Sequence, residues 1–99
     1  MIKSSIEEVF NNKTPYKESN LGKNEYIREF GSDIDEVELE WHLDKEDRIV
    51  DVIENEGNWM FQMDNQLPIL LKERLFIPKE TYHRVIKGDK NLKVKITKL

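Results

Sequence analysis

The 99-residue chain has no cysteine, which excludes disulfides and any zinc or iron–sulfur site built on thiolates. It has only two histidines, His42 and His83, so a metal site must draw on these, on carboxylates, on backbone groups or on water. Long apolar runs are also missing. The longest lies around Leu67–Leu71 and contains Pro68, far short of the roughly 20 residues needed to span a bilayer as a helix. The first residues lack the apolar core of a signal peptide. The expectation is a soluble cytoplasmic protein without membrane partners. Basic residues are outnumbered, 16 against 20 acidic, giving a net charge of −4, which disfavours nucleic acid as a partner.

What is present is patterned. Hydrophobic and charged residues are nearly equal, at 37% and 36%, yet the apolar ones recur periodically and include nine aromatics. The length suits a single domain with one core. Charge is split along the chain. Residues 1–71 carry 7 basic and 17 acidic side chains, whereas residues 72–99 carry 9 basic and 3 acidic. The basic stretch alternates with apolar residues. It therefore reads as a strand paired with acidic neighbours rather than as an anion-binding patch.

Residues 4–10 (SSIEEVF) predict a short helix. Ser5 and Glu8 resemble a capping box, and Ile2, Ile6, Val9 and Phe10 share a face. Residues 11–24 are rich in turn formers and read as a loop, followed by a strand at Glu25–Phe30. From Val37 the period becomes two: Val37, Leu39, Trp41 and Leu43 alternate with Glu38, Glu40 and His42. Further short strands follow at Arg48–Ile53, Trp59–Met63, Ile69–Lys72, Leu75–Ile77, Tyr82–Ile86 and Leu92–Ile96, divided by turns containing Gly, Asn or Pro. Short strands at this spacing predict an all-β antiparallel sandwich or barrel.

Within that frame Glu40 and His42 share the polar face of one strand. Asp47 returns after a charged turn, and His83 lies on a strand 41 residues beyond His42. Two imidazoles and a carboxylate on one side of an ion, with open positions opposite, form the donor set of non-haem iron and related divalent sites. Without a metal, the same residues are a solvated polar sheet face.

The stretch from Glu40 to His83 resembles the double motif of the cupin superfamily, small jelly-roll barrels. Glu40 stands where the first motif has a histidine, His42 at its second histidine, and Asp47 five residues later where glutamate is usual. The run RIVDVIENEG follows as strand and turn. Pro78 and His83 in IPKETYHRV match the second motif. WHLDKEDR and DNQLP also resemble small, phage-type cupins. The resemblance covers about residues 37–97. It implies an antiparallel cupin-type jelly-roll β-barrel at 37–99, preceded by a helix or loop extension at 1–36, in one domain. It implies a divalent metal (iron, manganese, nickel or zinc) held by Glu40, His42, Asp47 and His83. Arg48, Phe61, Gln62 and Tyr82 are candidate contacts for a small-molecule ligand. A homodimer is expected, in host cytoplasm if the chain is phage-encoded. The activity left open is a metal-dependent dioxygenase or isomerase. The alternatives are a metal-free barrel for a sugar or nucleotide, and an accessory or host-modulating dimer.

Overall fold

A computed structural model describes residues 16–34 and 39–99. The helix expected at residues 4–10 lies outside the described residues, as do Val37 and Glu38. Among the described residues there are eight strands: β1 (Lys17–Gly22), β2 (Glu25–Phe30), β3 (Arg48–Asn55), β4 (Met60–Met63), β5 (Ile69–Leu70), β6 (Arg74–Ile77), β7 (His83–Ile86) and β8 (Leu92–Lys98). They form a five-stranded sheet in the order β1-β2-β8-β3-β6 and a three-stranded sheet in the order β5-β4-β7. All pairings are antiparallel. The all-β antiparallel expectation therefore holds. The arrangement fits a jelly roll, but the strands make two sheets rather than one closed ring.

The large sheet follows from side-chain alternation. In β8, Leu92, Val94 and Ile96 are buried, while Lys93 and Lys95 lie on the other face. The strand sits between β2 and β3. Lys93 faces Glu29 on one side and Glu54 on the other, and Lys95 faces Asp51. Lys95 also pairs with Glu25 at 3.3 Å. The split in charge along the sequence is thus folded into cross-strand pairs of opposite sign.

β1 falls where the sequence predicts a loop. Its six residues are all exposed, so no apolar alternation marks it. It is fixed instead by pairing with β2 through a Lys23–Asn24 turn, in which Asn24 takes φ 64°. The segment 17–30 thereby joins the same sheet as β3 and β8. The strand expected at Val37–Leu43 differs as well. Among its described residues only His42 pairs, through a single antiparallel bridge to His83.

Both sheets contribute to one core: Phe30, Val50, Ile77, Leu92, Val94 and Ile96 from the large sheet, and Trp59, Phe61 and Leu71 from or beside the small one. Trp59 is fully buried. Its indole N–H donates to the Lys90 carbonyl. Asn55 clamps the same corner, accepting from the Trp59 backbone N–H at 2.7 Å and donating to the carbonyls of Trp59 (3.0 Å) and Leu71 (2.7 Å). Gly57 and Gly88 let two turns touch there: a β-carbon on Gly88 would fall 2.2 Å from the Gly57 carbonyl oxygen.

Candidate metal centre

At the opposite end of the core, the segment from Leu39 to Asp47 crosses beside β7. The His42 and His83 backbones exchange hydrogen bonds, His42 N–H to the His83 carbonyl at 3.0 Å and His83 N–H to the His42 carbonyl at 2.9 Å. This narrow pair stacks the two imidazoles edge to face, with ring centroids 4.4 Å apart. His83 is 4% exposed, with Phe61 packed 5.6 Å away, whereas His42 faces solvent.

Each ring is held by a backbone carbonyl. His83 Nδ1 lies 2.8 Å from the Thr81 carbonyl, and His42 Nδ1 lies 3.1 Å from that of Glu40. A carbonyl can only accept, so in each case Nδ1 carries the proton. In the neutral ring Nε2 is then left with a free lone pair. This anchoring through one ring nitrogen is what metal-binding histidines use to present the other. Burial, foremost, holds the His83 pKa below the ordinary 6.5. The nearby His42 and Arg48 push it the same way, and the Thr81 carbonyl and Asp44 push against it. His83 is therefore neutral at pH 7.

The carboxylate that joins them is Asp44. Its Oδ2 lies 3.4 Å from His83 Nε2, and its side chain is only 10% exposed. Ligand atoms of His42, Asp44 and His83 all fall within 4.8 Å of one another. Ligands on one side of an ion with bonds of about 2.1 Å sit about 3.0–3.4 Å apart, so the group closes on a metal by drawing together on the order of an ångström. Asp44 Oδ1 pairs with Arg48 Nη2 at 3.2 Å, while Asp44 Oδ2 and Arg48 Nε are buried without a hydrogen-bond partner among the described residues. Beneath the group a cavity of ≈ 50 Å³ runs into the core, lined by His42, Asp44, Arg48 and His83 together with apolar side chains including Phe61, Leu75 and Val85.

No protein-family model matches the chain, and no curated protein matches it significantly by sequence. Solved structures do match. One is a cupin-domain protein from Bordetella pertussis Tohama I, with TM-score 0.60, 15% identity, and coverage of 87% of this chain and 95% of that one. The chain has a cupin fold. DMSP lyase DddQ from Ruegeria pomeroyi DSS-3 matches with TM-score 0.63 and 16% identity over 75% of this chain. HppE in its FeII form matches with TM-score 0.60 and 13% identity over 76%. The chain spans only 36% of the lyase and 41% of HppE.

In this cupin fold the residues singled out from the sequence are distributed as follows. His42 and His83 are brought together. The Glu40 side chain is exposed, and Glu40 takes part through its backbone carbonyl. Asp47 is committed elsewhere: its Oδ1 accepts the Lys79 backbone N–H at 2.8 Å, which pins the turn before β7. Arg48 and Phe61 line the cavity. Gln62 alternates with the cavity-lining Phe61 and so faces away from the cavity, where it accepts from the Arg84 guanidinium at 2.9 and 3.0 Å, and Tyr82 is half exposed and does not line the cavity. Arg84 in turn lies over the Trp41 ring, 4.9 Å from its centroid.

The sequence predicts a charged turn over Asp44–Asp47, with the Asp44 side chain exposed; the structure instead brings Asp44 to the two histidines. The turn begins later than expected. The chain stays extended enough that Asp44, two residues after His42, shares its side, and the Asp44 carbonyl is fixed by the Glu80 N–H at 2.7 Å. The i, i+2 spacing His42-Leu43-Asp44 was the available signal.

Proposed function

We propose that this cupin-fold protein holds one divalent metal ion through His42 Nε2, His83 Nε2 and the Asp44 carboxylate, and acts there on a small organic molecule. The observation that carries the reading is the 3.4 Å approach of His83 Nε2 to Asp44 Oδ2. Both atoms are acceptors when His83 is neutral, and Oδ2 has no hydrogen-bond partner. Two buried lone pairs facing each other repel unless a cation or a proton lies between them, and burial disfavours the proton on His83. Two histidines and one carboxylate suit iron(II), manganese(II), nickel(II) or zinc(II), and three protein ligands leave coordination positions for a substrate.

When bound, such an ion supplies Lewis acidity or oxygen activation. The chain's own residues do the rest. Thr81 and Glu40 fix the ring orientations, Arg48 holds Asp44, and the apolar cavity wall excludes water. FeII HppE, of the same fold, is consistent with a metal in such a scaffold. Oxygenase and isomerase or lyase chemistry are both compatible with this donor set.

The test is metal titration of protein purified without added metal or nickel resin, read by elemental analysis and thermal stability. Stoichiometric uptake is expected, with the melting temperature rising with metal concentration. His42→Ala, at an exposed position, should leave the metal-free fold within about 0.5 kcal/mol while weakening metal binding beyond the ~10–100-fold typical of lost outer-shell partners. A protein that refuses all four ions ends this reading.

The Asp44–Arg48 ion pair favours a second reading, a metal-free binding barrel, because the guanidinium already balances the carboxylate. Its signature is stabilisation by a small ligand in the presence of chelator.

A further inference from the structure

The other buried orphan is Arg48 Nε. Arg48 is 9% exposed and opens β3. Its Nη2 reaches Asp44 Oδ1 at 3.2 Å and Glu46 Oε2 at 3.6 Å, which leaves the Nε–H donor unused in a side chain that lines the cavity. An unmade bond at a buried guanidinium is costly. A neighbouring acceptor would remove that cost, and no such acceptor comes from the described residues.

From this we infer that Arg48 receives the carboxylate of a short-chain organic acid, whose apolar body enters the cavity. The inference rests on the metal centre proposed above and names the substrate class for it. Three observations select that class. The donor is the Nε–H of a charged guanidinium, which bonds an anionic acceptor more strongly than a neutral one and so suits a carboxylate. The remaining wall, with Val50, Leu75, Ile77 and Val85, offers nothing polar and so takes a hydrocarbon chain. The volume, ≈ 50 Å³, is about a third of a cavity that accommodates benzene, so the body is short.

Charge sets the order of binding. Without metal, Asp44 and Glu46 offset Arg48, and Lys98 shares Glu46 at 3.6 Å. A divalent ion on Asp44 and two neutral imidazoles leaves the buried end with excess positive charge beside Arg48. An anion then restores balance where a neutral ligand does not. Carboxylate and metal therefore bind with positive coupling, and the coupling is reciprocal.

The experiment measures metal affinity of the intact protein under a free-metal buffer, with and without saturating butyrate, butyramide or 1-butanol. Butyrate is expected to tighten metal binding about 5-fold or more, the amide and alcohol to leave it unchanged. In Arg48→Gln the butyrate-induced ratio should fall to about one, whatever that variant's own metal affinity. Equal effects of butyrate and butyramide overturn the inference. So does a butyrate effect that survives in Arg48→Gln, since the acid then sits on the metal alone. If Arg48→Gln does not fold, Arg48→Lys takes its place, keeping a positive charge but losing the Nε–H; a butyrate ratio undiminished in that variant overturns the inference. A chain that takes metal but ignores carboxylates loses this inference and keeps the centre; a chain that takes no metal loses both.

Discussion

The two ends of the core are built on opposite terms. At the Trp59 end every polar group named above is answered. Asn55 makes three hydrogen bonds, the indole N–H reaches Lys90, and Asp89 N–H donates to the Gly57 carbonyl at 3.0 Å. At the His83 end, Asp44 Oδ2 and Arg48 Nε are buried and unanswered, beside an open cavity. Buried polar groups without partners are rare, and each needs an explanation. One corner closes its polar groups on one another, and the other leaves an acceptor and a donor unpaired, where the reading proposed above puts a metal and a ligand.

The largest effect should come from filling the closed end. Gly88→Ala drives a β-carbon to 2.2 Å from the Gly57 carbonyl oxygen and 2.5 Å from the Trp59 ring. The first clash is with backbone, which cannot rotate away. A destabilisation above about 3 kcal/mol is expected, enough to unfold much of a domain whose total stability is ~5–15 kcal/mol. Urea denaturation measures it. A Gly88→Ala protein of normal stability would mean that the two turns are not in contact.

Asn55→Ala strips the same corner without crowding it. It leaves the Trp59 N–H and the Leu71 carbonyl without their partner, while the Trp59 carbonyl keeps the Leu71 N–H at 3.0 Å, at an expected cost of about 1–3 kcal/mol. Chemical denaturation should show a lowered midpoint with an unchanged slope.

At the other end the sign should reverse. Replacing the pair together, as Asp44→Leu with Arg48→Met, removes both orphans and fills part of the cavity. Metal-free stability is expected to stay level or rise by up to about 4 kcal/mol, while metal uptake disappears. A double variant as damaged as Asn55→Ala would show that the Asp44–Arg48 pair is structural, and the contrast between the ends would fail.

Legibility in the sequence follows the same division. β8 was readable because Leu92, Val94 and Ile96 alternate with lysines, and the Trp59 and Phe61 face because a buried aromatic stripe has few other uses. His42 and His83 could be linked through the cupin-like spacing. β1 was not readable, since six exposed residues leave only backbone pairing to define the strand. Glu40, Asp44 and Asp47 were not separable, because which carboxylate points inward depends on where the pleat stops. That point is set by the Glu80 and Lys79 N–H groups from far along the chain, bonded to the Asp44 carbonyl and to Asp47 Oδ1.

The smallest effect expected is a pH dependence of the metal-free protein that arises at one end only. Burial holds the folded pKa of His83 below its ordinary value of 6.5. Between that lowered value and about 6.5 the unfolded chain binds the proton and the folded one does not, so stability rises with pH across this window. The contribution is complete above 6.5, is lost as pH falls through the folded pKa, and then stays flat. Denaturation midpoints taken with chelator from pH 5 to 8 should show this slope, and His83→Gln should abolish it. A His42→Ala protein should keep it, because solvent already reaches His42 and the dominant cause at His83 is its own burial rather than the neighbouring ring. If the slope vanishes in His42→Ala instead, repulsion between the two rings governs the site, and the His83 end is tuned by charge rather than by exclusion of water.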